Sequence, residues 1–147
     1  MPFMDIHSHS FEETKQVAQQ FLNTISIGER GTVIALQGDL GAGKTAFSQA
    51  IGEVVGVTES MQSPTFVIMK VYEIDFKGFK NLIHIDAYRI EKESELLHLG
   101  WNEIIKEPEN LVLIEWPKNV PNLIPKDAKW IHFEFIDENV RKIETHG

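Results

Sequence analysis

Gly38-Asp39-Leu40-Gly41-Ala42-Gly43-Lys44-Thr45 decides how this chain folds. A glycine, four further residues and then Gly-Lys-Thr form the phosphate-loop pattern. The flanks agree with it. Thr32-Val33-Ile34-Ala35-Leu36 is a β-branched, apolar strand before the loop, and Ala46-Phe47-Ser48-Gln49-Ala50-Ile51 continues as a helix after it. Glycines allow successive N–H groups to turn inward around a phosphate, and the new helix adds its positive end. Lys44 is expected to reach the β- and γ-phosphates of a nucleotide such as ATP, with the Thr45 hydroxyl on Mg²⁺.

Working outward, 147 residues fit one domain with a sizeable core, so residues 1–147 are expected to form a single nucleotide-binding domain. The net charge of −8, from 14 basic and 22 acidic side chains, argues against an unaided grip on nucleic acid. With no cysteine, disulfides, thiolate metal sites and cysteine nucleophiles are excluded. The first ten residues are polar, and no run approaches the roughly 20 apolar residues of a membrane span, so a cytoplasmic location is expected.

Ser10-Phe11-Glu12-Glu13 reads as a capping box opening a helix to about Asn23, with Phe11, Val17, Ala18, Phe21 and Leu22 as its apolar stripe. His7 and His9 ahead of it read as solvated residues of a loose chain end rather than a metal pair. Beyond the phosphate loop, a helix ends near Gly56. Strands at 67–72 and 81–86, joined across Asp75-Phe76-Lys77-Gly78, form an antiparallel hairpin. Helical pieces follow at 91–99 and 101–105, then the buried strand Leu111-Val112-Leu113-Ile114-Glu115. Pro117, Pro121 and Pro125 keep the next loop from being helical, and 129–136 with 140–145 make a terminal hairpin. The expected fold is α/β: a phosphate-loop, three-layer arrangement with a mixed, partly antiparallel sheet.

Glu115 closes an apolar strand, where a carboxylate needs a cation or water; it is a candidate for Mg²⁺ or for the attacking water. In His84-Ile85-Asp86-Ala87-Tyr88-Arg89, alternation puts His84, Asp86 and Tyr88 on one face if the strand runs that far. That set suits a metal or water site, and equally a polar strand end. Ser63 and Thr65 carry hydroxyls that a γ-phosphate could use, in a sequence also common in turns. Trp116 reads more readily as core or partner contact than as a base-stacking ring.

Gly-Asp-Leu-Gly-Ala-Gly-Lys-Thr, Ser-Pro-Thr-Phe, His-x-Asp-x-Tyr-Arg, Leu-Gly and Ile-Glu-Trp-Pro, in that order from Gly31 to Pro117, resemble the TsaE (YjeE) family. These are bacterial ATPases needed for N6-threonylcarbamoyladenosine in tRNA. The resemblance implies ATP on Gly38, Asp39, Leu40, Gly41, Ala42, Gly43, Lys44, Thr45 and Ala46, with Trp116 near the nucleotide. It implies Mg²⁺ on Thr45 and Glu115, and turnover through Asp86 and Glu115. Ser63 and Thr65, then His84, Tyr88 and Arg89, would be switch segments. The implied partners are TsaD and TsaB, with tRNA reached only through their complex and no membrane involved. Two positions depart from the pattern. Ala46 replaces a hydroxyl toward the α-phosphate, a contact of about 0.5–1.5 kcal/mol, and Lys118 stands where an acid commonly follows Trp-Pro. A small metabolite kinase is the rival reading; it usually needs an arginine-bearing lid, and of Arg30, Arg89 and Arg141 only Arg89 stands in a motif. A nucleotide-sensing module that hardly hydrolyses is a third.

Overall fold

A computed structural model describes residues 4–38, 43–59, 61, 68–138 and 140–146. Asp39, Leu40, Gly41 and Ala42 of the phosphate loop lie outside the described residues, as do Ser63 and Thr65.

The elements run β1 (Met4–Ser8), α1 (Phe11–Asn23), β2 (Thr32–Gln37), α2 (Lys44–Val55), β3 (Met69–Phe76), β4 (Phe79–Asp86), α3 (Glu93–His98), α4 (Trp101–Lys106), β5 (Asn110–Glu115), β6 (Lys129–Asp137) and β7 (Val140–His146). The seven strands among the described residues join one sheet in the order β1-β7-β6-β2-β5-β4-β3. The middle four are parallel, and β3, β7 and β1 are added antiparallel, so the sheet is mixed as expected.

Alternation along the parallel strands builds two cores. Ile34, Leu36, Leu111 and Leu113 face α1 and α2 with Phe21, Leu22, Phe47 and Ile51. Val33, Ala35, Val112 and Ile114 face the other way, onto Leu96 of α3 and Trp101 of α4. The sheet is therefore the middle of three layers, and its central strands read as continuous apolar runs because both faces are covered. No helix among the described residues is long and apolar enough to cross a membrane.

Several boundaries differ from the sequence expectation. The start of the chain is not loose: residues 4–8 pair antiparallel with β7, Ser8 standing opposite Arg141. The cap at Ser10 forms, its Oγ accepting from the Glu13 N–H at 3.1 Å, but Glu13 reaches back one residue further, to the N–H of His9. Strand β3 runs on to Phe76, because Lys77 and Gly78, both at positive φ, close the hairpin in two residues. Lys77 accepts that backbone while its ammonium donates to the carbonyl of Leu22, in the last turn of α1, and to that of Ile25, just beyond the helix. Helix α3 begins two residues late, since the Glu95 carboxylate takes the N–H groups of Glu91 and Lys92. The proline segment makes two short 3-10 turns, at Pro117–Asn119 and Pro121–Leu123, each with proline at its start.

Candidate nucleotide site

The carboxyl ends of β2, β5, β4 and β6 lie along one edge of the sheet, where ligands of α/β proteins collect. Gly38 follows β2 where a Cβ would meet the Phe133 carbonyl oxygen at 2.7 Å, so only glycine passes β6 there. Gly43 has φ +105° and caps α2, which lets Lys44 begin the helix. Lys44 is buried, at 5% exposure. Its ammonium donates to the Gly38 carbonyl and sits 3.6 Å from the centre of the Trp116 ring.

Trp116 takes that place because its own backbone turns left-handed, φ +59°, directly after β5. Its ring meets Tyr88 at 4.9 Å, and its apolar side packs on the second core. It therefore serves both as core contact and as a wall of the lysine's pocket. Lys118, whose ammonium is 5.6 Å from the centre of the same ring, is a second cation beside it.

Asp86 and Glu115 are opposite each other across β4 and β5, and both are buried. Asp86 accepts from the Tyr88 N–H at 3.0 Å. Glu115 holds Nε2 of His84 at 2.6 Å, and the other ring nitrogen of His84 has no partner among the described residues. Strand β4 ends at Asp86, so alternation pairs His84 with Asp86, whereas Tyr88 lies beyond the strand and is exposed. The loop carrying Tyr88 is stapled to the Trp116 turn by Asn119, which donates to Ala87 and Tyr88 carbonyls.

A cavity of about 560 Å³ opens on these groups. Lys44, Thr45, Ala46, Asp86, Glu115 and Trp116 all line it, with Gly43 and Tyr88. His84 stands behind Glu115 rather than in the wall, and Arg89 is exposed outside it. The donor set suits Mg²⁺, a hard cation that takes oxygen ligands and, in phosphate sites, uses one or two carboxylates with phosphate and water oxygens. Among the described residues no three histidines and acids cluster as an all-protein cage.

Sequence reasoning passed over the other side of the cavity. Ser8 at the end of β1, His9 just after it, Phe11 and Thr14 from the start of α1, and Phe133, Glu138, Arg141 and Ile143 from the terminal hairpin, complete the wall. Strand β6 runs five residues beyond its last pairing with β2, at His132, and so carries the hairpin over the sheet's edge. The stem of Arg141 thereby comes within 3.4 Å of where a Gly43 Cβ would stand. No local pattern marks it.

The model of the family described as threonylcarbamoyl adenosine biosynthesis protein TsaE matches residues 8–143. The chain belongs to the TsaE family. The TsaE of Bacillus subtilis (strain 168) is 36% identical over 132 residues, covering 90% of this chain and 78% of that one. The TsaE of Borreliella burgdorferi is 37% identical over 118 residues, covering 80% and 82%. The crystal structure of Bacillus subtilis YdiB superposes with a TM-score of 0.74 at 27% identity, covering 98% of this chain and 84% of that one. This TsaE chain thus shares its three-layer α/β fold with a solved relative, and the match begins at Ser8, inside β1.

Proposed function

We propose that this TsaE chain is a Mg²⁺-dependent ATPase, slow alone, that works in the cytoplasm on a TsaD–TsaB complex during N6-threonylcarbamoyladenosine synthesis in tRNA. The observation that carries this reading is the convergence of Lys44, Thr45, Asp86 and Glu115 on one cavity. Lys44 leaves the Gly38 carbonyl and the Trp116 face for the phosphates, exchanging one hydrogen bond for a charge-assisted one. The Thr45 hydroxyl and one carboxylate hold Mg²⁺, which when bound offsets phosphate charge. The remaining carboxylate orients the attacking water and takes its proton. His84 keeps Glu115 aimed, and the Asn119 staple ties together the segments that follow Asp86 and Glu115 at the ends of β4 and β5. The acidic balance favours a protein partner over direct contact with tRNA.

Turnover of ATP by the chain alone and with TsaD–TsaB tests this. An arginine supplied by a partner is worth on the order of 10³–10⁵ in rate, so marked stimulation is expected. Turnover that stays flat over a range of partner concentrations counts against it. Depleting the chain from its host should remove threonylcarbamoyladenosine from digested tRNA. One observation favours a second reading: Arg141 lies in the cavity wall, where a kinase would want an arginine. Transfer of labelled phosphate from ATP to a small metabolite, rather than to water, would decide for that.

A further inference from the structure

Strand β3 ends the sheet, and among the described residues no strand pairs with its outer edge. Such an edge offers its backbone to a second strand unless something blunts it. The phase of that offer is set by β4. The Ile68 carbonyl accepts from the Asp86 N–H at 2.8 Å, and Lys70 and Tyr72 stand opposite His84 and Leu82 in the same phase. Bonded pairs recur at every second residue of an antiparallel ladder, so the N–H and C=O groups of Met69, Val71 and Glu73 point outward. After Glu73 the register with β4 shifts. The regular part of the edge is therefore Met69–Glu73, with Val71 at its middle.

Proteins usually guard an edge with a charge or a proline at such a place. Val71 is neither. It is 52% exposed, more than any other large hydrophobic residue among those described, and its β-branched side chain suits a ladder. The segment carries only Lys70 and Glu73 as charges, of opposite sign and on opposite faces of the strand.

We propose that Met69–Glu73 pairs antiparallel with the same segment of a second copy of this chain, about a two-fold axis through Val71. A two-fold normal to the sheet sets residues of one face against each other, which leaves few registers. Centred on Val71, it puts Val71 against Val71, Met69 against Glu73 and Lys70 against Tyr72, and every outward N–H and C=O of the segment finds a partner. Lys70, whose ammonium is 5.3 Å from the centre of its own Tyr72 ring, then faces that ring of the copy rather than a like charge. Centred on Tyr72, the pairing carries Met69 past the register shift to Asp75 and loses the end bonds. Centred on Glu73, it sets two carboxylates directly opposite and faces Val71 with Asp75, which is destabilising. The sheets of the two copies become one continuous sheet, and the exposed valines cover each other.

Analytical ultracentrifugation of the full chain, from micromolar to millimolar, should show the mass rise from one chain to two. Val71→Pro removes only an outward N–H, so it should leave circular dichroism unchanged and abolish the rise. Val71→Lys, which keeps the backbone whole, should abolish it too. The chain has no cysteine, so Val71→Cys supplies a single thiol. Opposed bonded residues of an antiparallel ladder lie about 5.5 Å apart between Cα atoms, within disulfide reach. Mild oxidation should join Val71→Cys chains in pairs, and Met69→Cys to Glu73→Cys when these are mixed. Neither of the latter should pair with itself, nor should Leu97→Cys, at another exposed apolar position. A single mass at every concentration overturns the proposal, as does a dimer that survives both Val71→Pro and Val71→Lys. Equal cross-linking of Leu97→Cys and Val71→Cys does the same. A chain that stays single, but whose Val71→Pro variant no longer associates with TsaD–TsaB, would give the edge to a different protein and overturn the pairing of copies.

Discussion

His84 Nε2 lies 2.6 Å from Glu115 Oε2, and both side chains are almost fully buried, at 1% and 3% exposure. The two are 31 residues apart in sequence and meet because β4 and β5 are parallel neighbours. A buried carboxylate without a partner is expensive, and a histidine behind it fixes which oxygen points forward. His84→Leu should therefore cost about 1.5–3 kcal/mol in chemical denaturation, the usual worth of a hydrogen bond to a charged group. His84→Gln, which retains a donor, should recover part of it.

Lys44→Met keeps the stem under Trp116 and removes the charge. The loss of the cation–π contact should change stability by no more than about 0.5–2 kcal/mol. Binding of ATP and of tripolyphosphate should vanish in calorimetry. Retained affinity would overturn the phosphate-loop assignment.

Asp86→Asn and Glu115→Gln remove proton acceptors while keeping shape. Each should leave most ATP binding in place and slow turnover by roughly 10²–10⁴-fold, the range for a lost general base. Normal hydrolysis in either variant removes that residue from the chemistry.

Nucleotide binding should alter tryptophan fluorescence, since drawing the Lys44 ammonium off the Trp116 ring changes the charge 3.6 Å from its centre. Trp116→Phe should abolish the change, although Trp101 and Trp130 remain. A change that survives this substitution would place the signal elsewhere.

Glu95 titrates below the ordinary carboxylate range because the N–H groups of Lys92 and then Glu91 donate to it. A carboxyl lowered in this way stabilises the fold above its unfolded pKa, and that contribution is lost as pH falls through the folded value. Glu95→Gln should remove that contribution, lowering thermal stability near neutrality, read by circular dichroism, with a shallower acid limb and little difference once pH is below the folded value.

The parts of the fold that were legible in the sequence are those fixed by neighbours along the chain. Strand β2, the start of α2, the Ser10 cap and the apolar run of β5 follow from residue type and spacing over a few positions. Lys44, Thr45, Asp86 and Glu115 were nameable because each sits where a strand or loop ends in a polar group. The loose start expected at His7 and His9 failed for the opposite reason: Met4–Ser8 carries no strong strand pattern and is held by β7, which lies at the far end of the chain. Tyr88 shows the same limit, since alternation stops counting once β4 ends at Asp86.

Sequence alone thus determined that a phosphate loop opens a helix after a buried strand, and that acids close two further strands, because backbone preferences act locally. Tertiary structure decided that β4 and β5 set those acids side by side, that His84 backs Glu115, and that Ser8, Thr14 and Arg141 share the cavity with Lys44. Those relationships depend on which strands become neighbours in the sheet, and that order is set by burying both of its faces at once rather than by any single stretch of chain.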